Sequence, residues 1–479
     1  MRDASRTPPP RQWDLLSLIP VAAGLFWLLG GTGTWLIWAL LPGALLLSAG
    51  VALLLWPGDI RVPQFMAAGG IAGMIAALPA MSAGGFALGL LGGLLSLAGY
   101  VIAGRAGLMI DPVAEGAPAP LRNIEVFLKA ALDEALLAYF VTIAKLPSDR
   151  RAMEIGLNAD RIEAEIRSSN WAEEPAPFHR APEPPQQTRV AAASVYGFRY
   201  ERLSYASGFV PDPRLPGALE WAEHHANEQM NAWVLRHPGP PRPWLLCIHG
   251  YRMGEAWMDF GLFRPGWLHR KLGLNLLMPV LPLHGPRRAR MDSGGGYLDE
   301  DLVNLLHAQS QALWDLRRAL AWLRAQEGAP RVGVLGYSLG GYNAALLSTY
   351  ESGLDFVIAG IPVVDFASAL WRNIAPQHRR YYAAQGVDEA RYRKLLHVVS
   401  PLARPCALPQ EARYIFAGAA DRVVPPEHPL LLAKHWNVPV QWYQGGHLSF
   451  RRERPVRAHI EAAMARAGWP VPVSAVPVV

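Results

Sequence analysis

Two cysteines in 479 residues cannot build a disulfide framework. Cys247 falls in a strand-like run and Cys406 in a loop, which fits a reducing compartment. Charge is scarce as well: charged residues make up 18% of the chain, and long stretches have none. Leu15 to Gly58 is 44 residues without a charged side chain, and Val62 to Gly104 is a further 43, interrupted only by Asp59 and Arg61. Soluble cores do not usually run so far without a charge, and no small-residue cleavage site follows an h-region, so a cleaved signal peptide is a poor reading. Gly294-Gly295-Gly296 lacks the Lys and Ser/Thr of a phosphate-binding loop. Glu223, His224, His225 and Glu228 match no metal-ligand spacing. There is no nucleic-acid recognition motif and no internal repeat. No metal, no cofactor and no nucleic-acid partner are expected.

What is present begins with those apolar runs. One helical crossing of a bilayer needs about 20 apolar residues, so each run is two crossings long. Each has a turn near its middle, Gly30-Gly31-Thr32-Gly33-Thr34 in the first and Pro79 to Gly84 in the second. Residues 1–110 therefore read as four short transmembrane helices in two hairpins. With four spans, Arg2, Arg6, Arg11, Arg61 and Arg105 all lie on one side, which the positive-inside rule places in the cytoplasm. Trp13, Trp35, Trp38 and Trp56 fall near helix ends, as an aromatic belt would. The expected location is a bacterial inner membrane with the C-terminal domain in the cytoplasm; three or five spans would move that domain to the other face. A net charge of +6 and a pI near 9.3 suit contact with anionic lipid. The residues do not fix an oligomeric state.

Residues 111–190 read as a connector. From Leu121 to Leu146, Arg122, Glu125, Lys129 and Asp133 recur every three or four residues against Ile124, Leu128, Leu132 and Leu136, which is a helix with one polar stripe. It either packs on the following domain, the preferred reading, or lies on the membrane surface. A second helix-like run covers Asp149 to Ser169. Glu174 to Gln187 then holds five prolines and reads as an extended linker.

Beyond about residue 191 the chain takes up a βα rhythm. Strands are predicted at Val195–Leu203, Glu228–Leu235, Trp244–Ile248, Leu274–Leu281, Val332–Gly336, Phe356–Ile361, Arg413–Ala417 and Val438–Tyr443, with helices at Asp301–Gln326, Gly341–Tyr350 and Pro455–Ala467. That alternation makes a mostly parallel sheet with helices on both faces. Arg331 to Tyr342 reads R-V-G-V-L-G-Y-S-L-G-G-Y. A β-branched run enters Gly336-Tyr337-Ser338-Leu339-Gly340 and a helix-like stretch leaves it, which is the pattern of a nucleophile elbow. Upstream, a buried-strand signal ends in His249-Gly250-Tyr251. Downstream, one strand is followed by Asp421-Arg422-Val423-Val424-Pro425 and the last by Gly445-Gly446-His447. A serine, an aspartate and a histidine thus follow strands in that chain order.

These four ordered motifs resemble the α/β-hydrolases over residues 191–470. Leu283-His284-Gly285-Pro286-Arg287-Arg288 and Val398-Val399-Ser400-Pro401-Leu402 are similar to the branch numbered eighteen in eukaryotes and its bacterial relatives. The resemblance implies Ser338 as nucleophile, His447 as general base and Asp421 as the acid that orients it. It also implies an oxyanion hole from the backbone amides of Tyr251 and Leu339. Asp365, at the end of the preceding strand, is the alternative acid. His249, His284 and His397 are weaker candidates for the base because none follows the last strand. His249, Arg287 and Arg288 are candidates for substrate contact, the arginines toward an anionic head group, although a solvated basic loop is the commoner explanation. A cap is expected at about 366–400, where Trp371, Tyr381, Tyr382 and Tyr392 either line an acyl pocket or pack the cap. The expected activity is cleavage of an ester, from a lipid or another small acyl substrate, by a membrane-anchored serine hydrolase. A peptidase or amidase with the same triad, or a catalytically silent membrane scaffold, stays open beside it.

Overall fold

The computed structural model describes residues 15–143, 148–298 and 301–470. Arg2, Arg6, Arg11 and Trp13 lie outside them. The chain forms two compact units. Of the described residues, one unit gathers 15–143 with 418–426 and 442–453; the other holds 148–298, 301–417, 427–441 and 454–470.

The first unit contains α1 (Leu18–Leu29), α2 (Trp35–Leu55), α3 (Arg61–Gly84), α4 (Phe86–Ile110) and α5 (Ile124–Ile143). With 21, 24 and 25 residues, α2, α3 and α4 are long and apolar enough to cross a membrane. α1, preceded by a 3-10 turn at Leu15–Ser17, is apolar but shorter. The first predicted turn holds, since α2 starts directly after Thr34. The second moves: α3 continues through Pro79 to Gly84 and the chain reverses on Gly85 at φ 95°. A proline inside an apolar helix is tolerated where neighbouring helices pack around it, whereas a positive φ calls for glycine. Arg105 lies within α4 and not beyond it.

Small residues let these helices approach closely. A Cβ on Gly24 would strike the backbone of Leu47, and one on Gly92 would meet the Trp27 ring at 2.8 Å. Trp27 and Trp35 are fully buried and stack at 5.2 Å. Their indoles donate to Ser96 Oγ and to the Trp27 carbonyl, each at 2.8 Å. Trp35, expected in an interfacial belt, is therefore a core residue, while Trp38 and Trp56 are exposed. α5 packs on α3 and α4. It fits two glycine notches, because a Cβ on Gly104 would collide with the Phe127 carbonyl and one on Gly107 with the Glu134 carboxylate.

The second unit is built on a nine-stranded sheet of order β1-β2-β3-β5-β4-β6-β7-β8-β9. The strands are β1 (Arg189–Val195), β2 (Phe198–Ala206), β3 (Gln229–Leu235), β4 (Trp244–Ile248), β5 (Asn275–Pro279), β6 (Val332–Tyr337), β7 (Phe356–Gly360), β8 (Arg413–Gly418) and β9 (Val440–Tyr443). β1 to β3 pair antiparallel, β3 pairs antiparallel with β5, and β5, β4, β6, β7 and β8 run parallel. β4 to β7 are buried along their whole length, which is why their sequences are unbroken apolar runs. Eight strands were expected. The ninth arises because residues 189–206 form a hairpin turning on Tyr196 and Gly197, both at positive φ, 49° and 73°.

The helices of this unit are α6 (Asp149–Ser168), α7 (Ala218–Ala222), α8 (Ala256–Phe263), α9 (Leu302–Ala325), α10 (Leu339–Leu347), α11 (Phe366–Asn373), α12 (Pro376–Ala384), α13 (Glu389–Leu395), α14 (Glu427–Trp436) and α15 (Arg454–Arg466). α11 to α13 occupy the expected cap. Trp371 packs against Tyr382 at 6.1 Å and Tyr392 at 5.0 Å, and both tyrosines are buried. These aromatics pack the cap on itself. Arg391 and Lys394 tie it to Asp160 and Glu163 of α6. Cys247 and Cys406 are both buried free thiols. Burial pushes the Cys247 thiol well above its ordinary pKa.

Candidate active site

β6 delivers the chain to Ser338, which stands at φ 58°, ψ −115° before α10 begins at Leu339. A serine in that region of backbone space is strained by roughly 1–3 kcal/mol and persists only where its surroundings hold it. They do so here. The Ser338 amide donates to the Gly360 carbonyl of β7 at 2.9 Å, and the Ser338 carbonyl accepts from the Tyr342 amide at 3.0 Å. The Tyr337 ring stacks on Phe263 at 5.2 Å. The flanking glycines follow from space. A Cβ on Gly336 would collide with the Gly340 carbonyl, and one on Gly340 with the Ile248 carbonyl. A Cβ on Gly250 would lie 3.7 Å from Ser338 Cβ, so the histidine-glycine turn backs directly onto the elbow.

That turn is rigid. His249 Nδ1 donates to the Gly250 carbonyl at 2.8 Å, and its Nε2 accepts from the Leu281 amide at 3.1 Å, which fixes the tautomer. His249 is 1% exposed, and both ring nitrogens are used by the backbone. Leu339 opens α10, so its amide is among those the helix does not use internally. Tyr251 directly follows Gly250 in the turn.

The segments after β8 and β9 belong to the first unit. There Asp421 Oδ2 accepts from His447 Nδ1 at 2.7 Å, and both side chains are buried. Asp421 Oδ1 accepts from the amides of Val423 at 3.0 Å and Val424 at 2.8 Å, which locks the carboxylate in a turn. With Nδ1 donating, the imidazole lone pair falls to Nε2. Burial pushes the His447 pKa down, but the charge and hydrogen bond of Asp421 together with the Asp133 charge outweigh it, so it lies above its ordinary value.

Asp365, the alternative acid, is otherwise engaged. Its Oδ1 caps α11 through the Ala367 amide at 3.0 Å, and its Oδ2 pairs with Arg393 at 2.6 Å. Arg287 departs from expectation. It is fully buried and gives its guanidinium to Asp315 at 2.7 Å, the Val280 carbonyl at 2.8 Å and the Asn227 carbonyl at 3.0 Å. It staples the loop after β5 to α9 and does not face a head group, because the adjacent Asp315 makes burial of its charge affordable. Arg288 pairs with Glu255 at 2.8 Å on a partly exposed surface. His284 is buried, with Nδ1 donating to the Pro282 carbonyl at 2.8 Å, and burial followed by the neighbouring His249 depresses its pKa.

One residue of this region escaped the sequence reading as a site residue. Asp133 of α5 accepts hydrogen bonds from the amides of Arg422, His447 and Leu448. The available signal was an adjacent pair of acids, Asp133-Glu134, inside an otherwise apolar stretch.

A parallel strand core, an elbow after β6, and a hydrogen-bonded Asp and His after β8 and β9 define the α/β-hydrolase class. No family model matches the chain. Uncharacterized protein Rv2627c of Mycobacterium tuberculosis (strain ATCC 25618 / H37Rv) is 41% identical over 305 residues, covering 62% of this chain and 72% of that protein. Uncharacterized protein MT2702 of Mycobacterium tuberculosis (strain CDC 1551 / Oshkosh) matches to the same extent. The chain belongs to the family of these two mycobacterial proteins. Among solved structures, acetyl xylan esterase 1 from Thermoanaerobacterium sp. JW/SL YS485 is similar at 14% identity and a TM-score of 0.42, over 62% of this chain and 93% of that one. Acetyl xylan esterase from Paenibacillus sp. R4 is similar at 15% identity and a TM-score of 0.43, over 68% of this chain and 98% of that one.

Proposed function

We propose that this protein is a membrane-anchored serine hydrolase that cleaves an ester through an acyl-enzyme. Ser338 attacks the acyl carbonyl, His447 takes the serine proton and returns it to the leaving group, and Asp421 holds the imidazole and stabilises its cation. The reading calls for Ser338 Oγ to pass its proton to His447 Nε2, and for the Leu339 and Tyr251 amides to receive the oxyanion. The observation that carries it is Ser338 itself, a non-glycine residue held at φ 58° between two glycines that nothing larger can replace. The 2.7 Å bond from His447 to Asp421 supports the same roles.

The substrate class follows from location. An enzyme held by α2 to α4 meets bilayer lipids and other amphiphiles at high effective concentration, so we assign it a lipid-like or other acyl ester. The anchor is proposed to place the catalytic part in the cytoplasm, with α1 as a short fourth crossing. The same triad also opens amides, and ester against anilide turnover separates the two. The decisive experiment treats membranes with a fluorophosphonate probe. Wild type should be labelled and Ser338→Ala should not; equal labelling of both overturns the assignment, and no labelling of wild type favours a silent scaffold.

A further inference from the structure

α5 carries two adjacent acids, Asp133 and Glu134, both with no solvent exposure. Burying a carboxylate is costly unless nearby donors satisfy it. The donors here come from two particular loops. Asp133 Oδ2 accepts from the His447 amide at 2.6 Å and the Arg422 amide at 3.1 Å, and its Oδ1 accepts from the Leu448 amide at 3.2 Å. Those amides belong to the proposed base, to the residue after it, and to the residue after the proposed acid. One carboxylate therefore bridges both halves of the Asp421–His447 pair through the backbone.

Its neighbours reinforce the clamp. Glu134 accepts from Arg422 Nε at 2.7 Å, and Arg422 Nη1 reaches Asp111, just past α4, at 2.9 Å. Lys129 pairs with Glu453 at 2.7 Å and donates to the Gln444 carbonyl at 3.2 Å. The Gln444 side chain in turn accepts from the Leu121 amide at 2.9 Å. Gly446 is pressed so closely that a Cβ there would lie 2.5 Å from Asp133 Oδ2 and 2.9 Å from the Lys129 carbonyl. The glycine before the histidine is thus dictated by α5, which itself rests in the Gly104 and Gly107 notches of α4.

Building on the triad assigned above, we propose that Asp133 is a positioning residue: it fixes the Asp421 and His447 segments to the membrane helices and places a second negative charge beside the imidazole. The titratable groups that act on it are Asp421, His447 and Tyr443 on or beside the two loops and Tyr100 on α4; Arg422 meets it through its backbone amide and turns its guanidinium to Glu134, and Lys129, on its own helix, pairs with Glu453. Burial first, then the Asp421 charge, pushes Asp133 up to about 7, while the His447 cation and the backbone donors pull the other way. Protonating Asp133 removes one of the two charges that raise the His447 pKa and weakens three hydrogen bonds to the loops. The helical part of the chain is then a component of the catalytic apparatus and more than a tether.

The test uses the full chain in membranes or detergent, with wild type, Asp133→Asn and Ser338→Ala. The readouts are p-nitrophenyl ester hydrolysis against pH and hydrogen exchange of segments 418–426 and 442–453. Asp133→Asn should lower kcat/KM about tenfold or more and move the acid limb of the profile down by about one pH unit, the order a nearby opposite charge commands. It should also speed exchange in both loops while β6 stays protected. A wild-type rate, an unmoved limb and unchanged exchange in Asp133→Asn, with Ser338→Ala inactive, overturn the role of Asp133 and leave the triad standing. Full activity in Ser338→Ala overturns the triad and the positioning role of Asp133 with it. Should Asp133→Asn fail to insert, Gly446→Ala crowds the same carboxylate without removing its charge and should lower kcat/KM and speed exchange in both loops; a wild-type rate with unchanged exchange in that variant overturns the role of Asp133.

Discussion

Ser338 adopts its backbone conformation because Gly336, Gly340 and Gly250 leave it room and Gly360 holds its amide. A methyl at position 340 would meet backbone, which cannot swing aside. Gly340→Ala should therefore abolish probe labelling of Ser338 and lower the unfolding midpoint in detergent. The two acids separate just as cleanly. Asp421→Asn reverses the tautomer preference of His447 and should lower kcat by about 10³–10⁴-fold. Asp365→Asn should leave kcat within a few-fold and weaken only the α11 cap and its Arg393 pair, a loss of about 1 kcal/mol read by thermal unfolding. The pH profile carries a sign. A base whose pKa is raised stays protonated, and hence idle, to a higher pH. The acid limb of wild-type kcat/KM should accordingly centre above about 6.5, the ordinary histidine value.

At the scale of elements, legibility followed the number of faces buried. β4 to β8 stood out in sequence because strands covered on both faces are unbroken apolar runs with sharp ends. The β1–β2 hairpin did not, because β1 is exposed along much of its length and only the Tyr196-Gly197 turn marks it. The elbow and the Asp421–His447 pair could be located by motif. The partners of α5 could not: a 3.6-residue period shows that Lys129 and Asp133 share a stripe, yet the same stripe suits water, a membrane surface or a buried clamp. Arg287 shows the reverse error. A basic cluster after a strand suggests a solvated loop or, less commonly, a ligand contact, and only the position of Asp315 reveals an internal staple. Arg287→Met would leave Asp315 buried without its cation and should destabilise the fold by about 3–5 kcal/mol in denaturant titration, with KM for a neutral ester unchanged.

For the whole molecule, the open variable is the number of crossings, because α1 is shorter than α2, α3 and α4. On the orientation proposed above, an even count puts the sheet of the second unit on the cytoplasmic side. Met291 is 99% exposed on that unit, so Met291→Cys offers a reporter. It should react with a membrane-impermeant maleimide in inverted vesicles and stay unreacted in intact spheroplasts; the opposite pattern would make α1 a non-spanning helix.

That experiment is eased by the burial of Cys247 and Cys406. Sulfhydryls sealed inside a folded protein, one of them additionally reluctant to ionise, give little background with aqueous alkylating agents. The native chain can therefore serve directly as the parent for site-by-site topology mapping, without first being made cysteine-free.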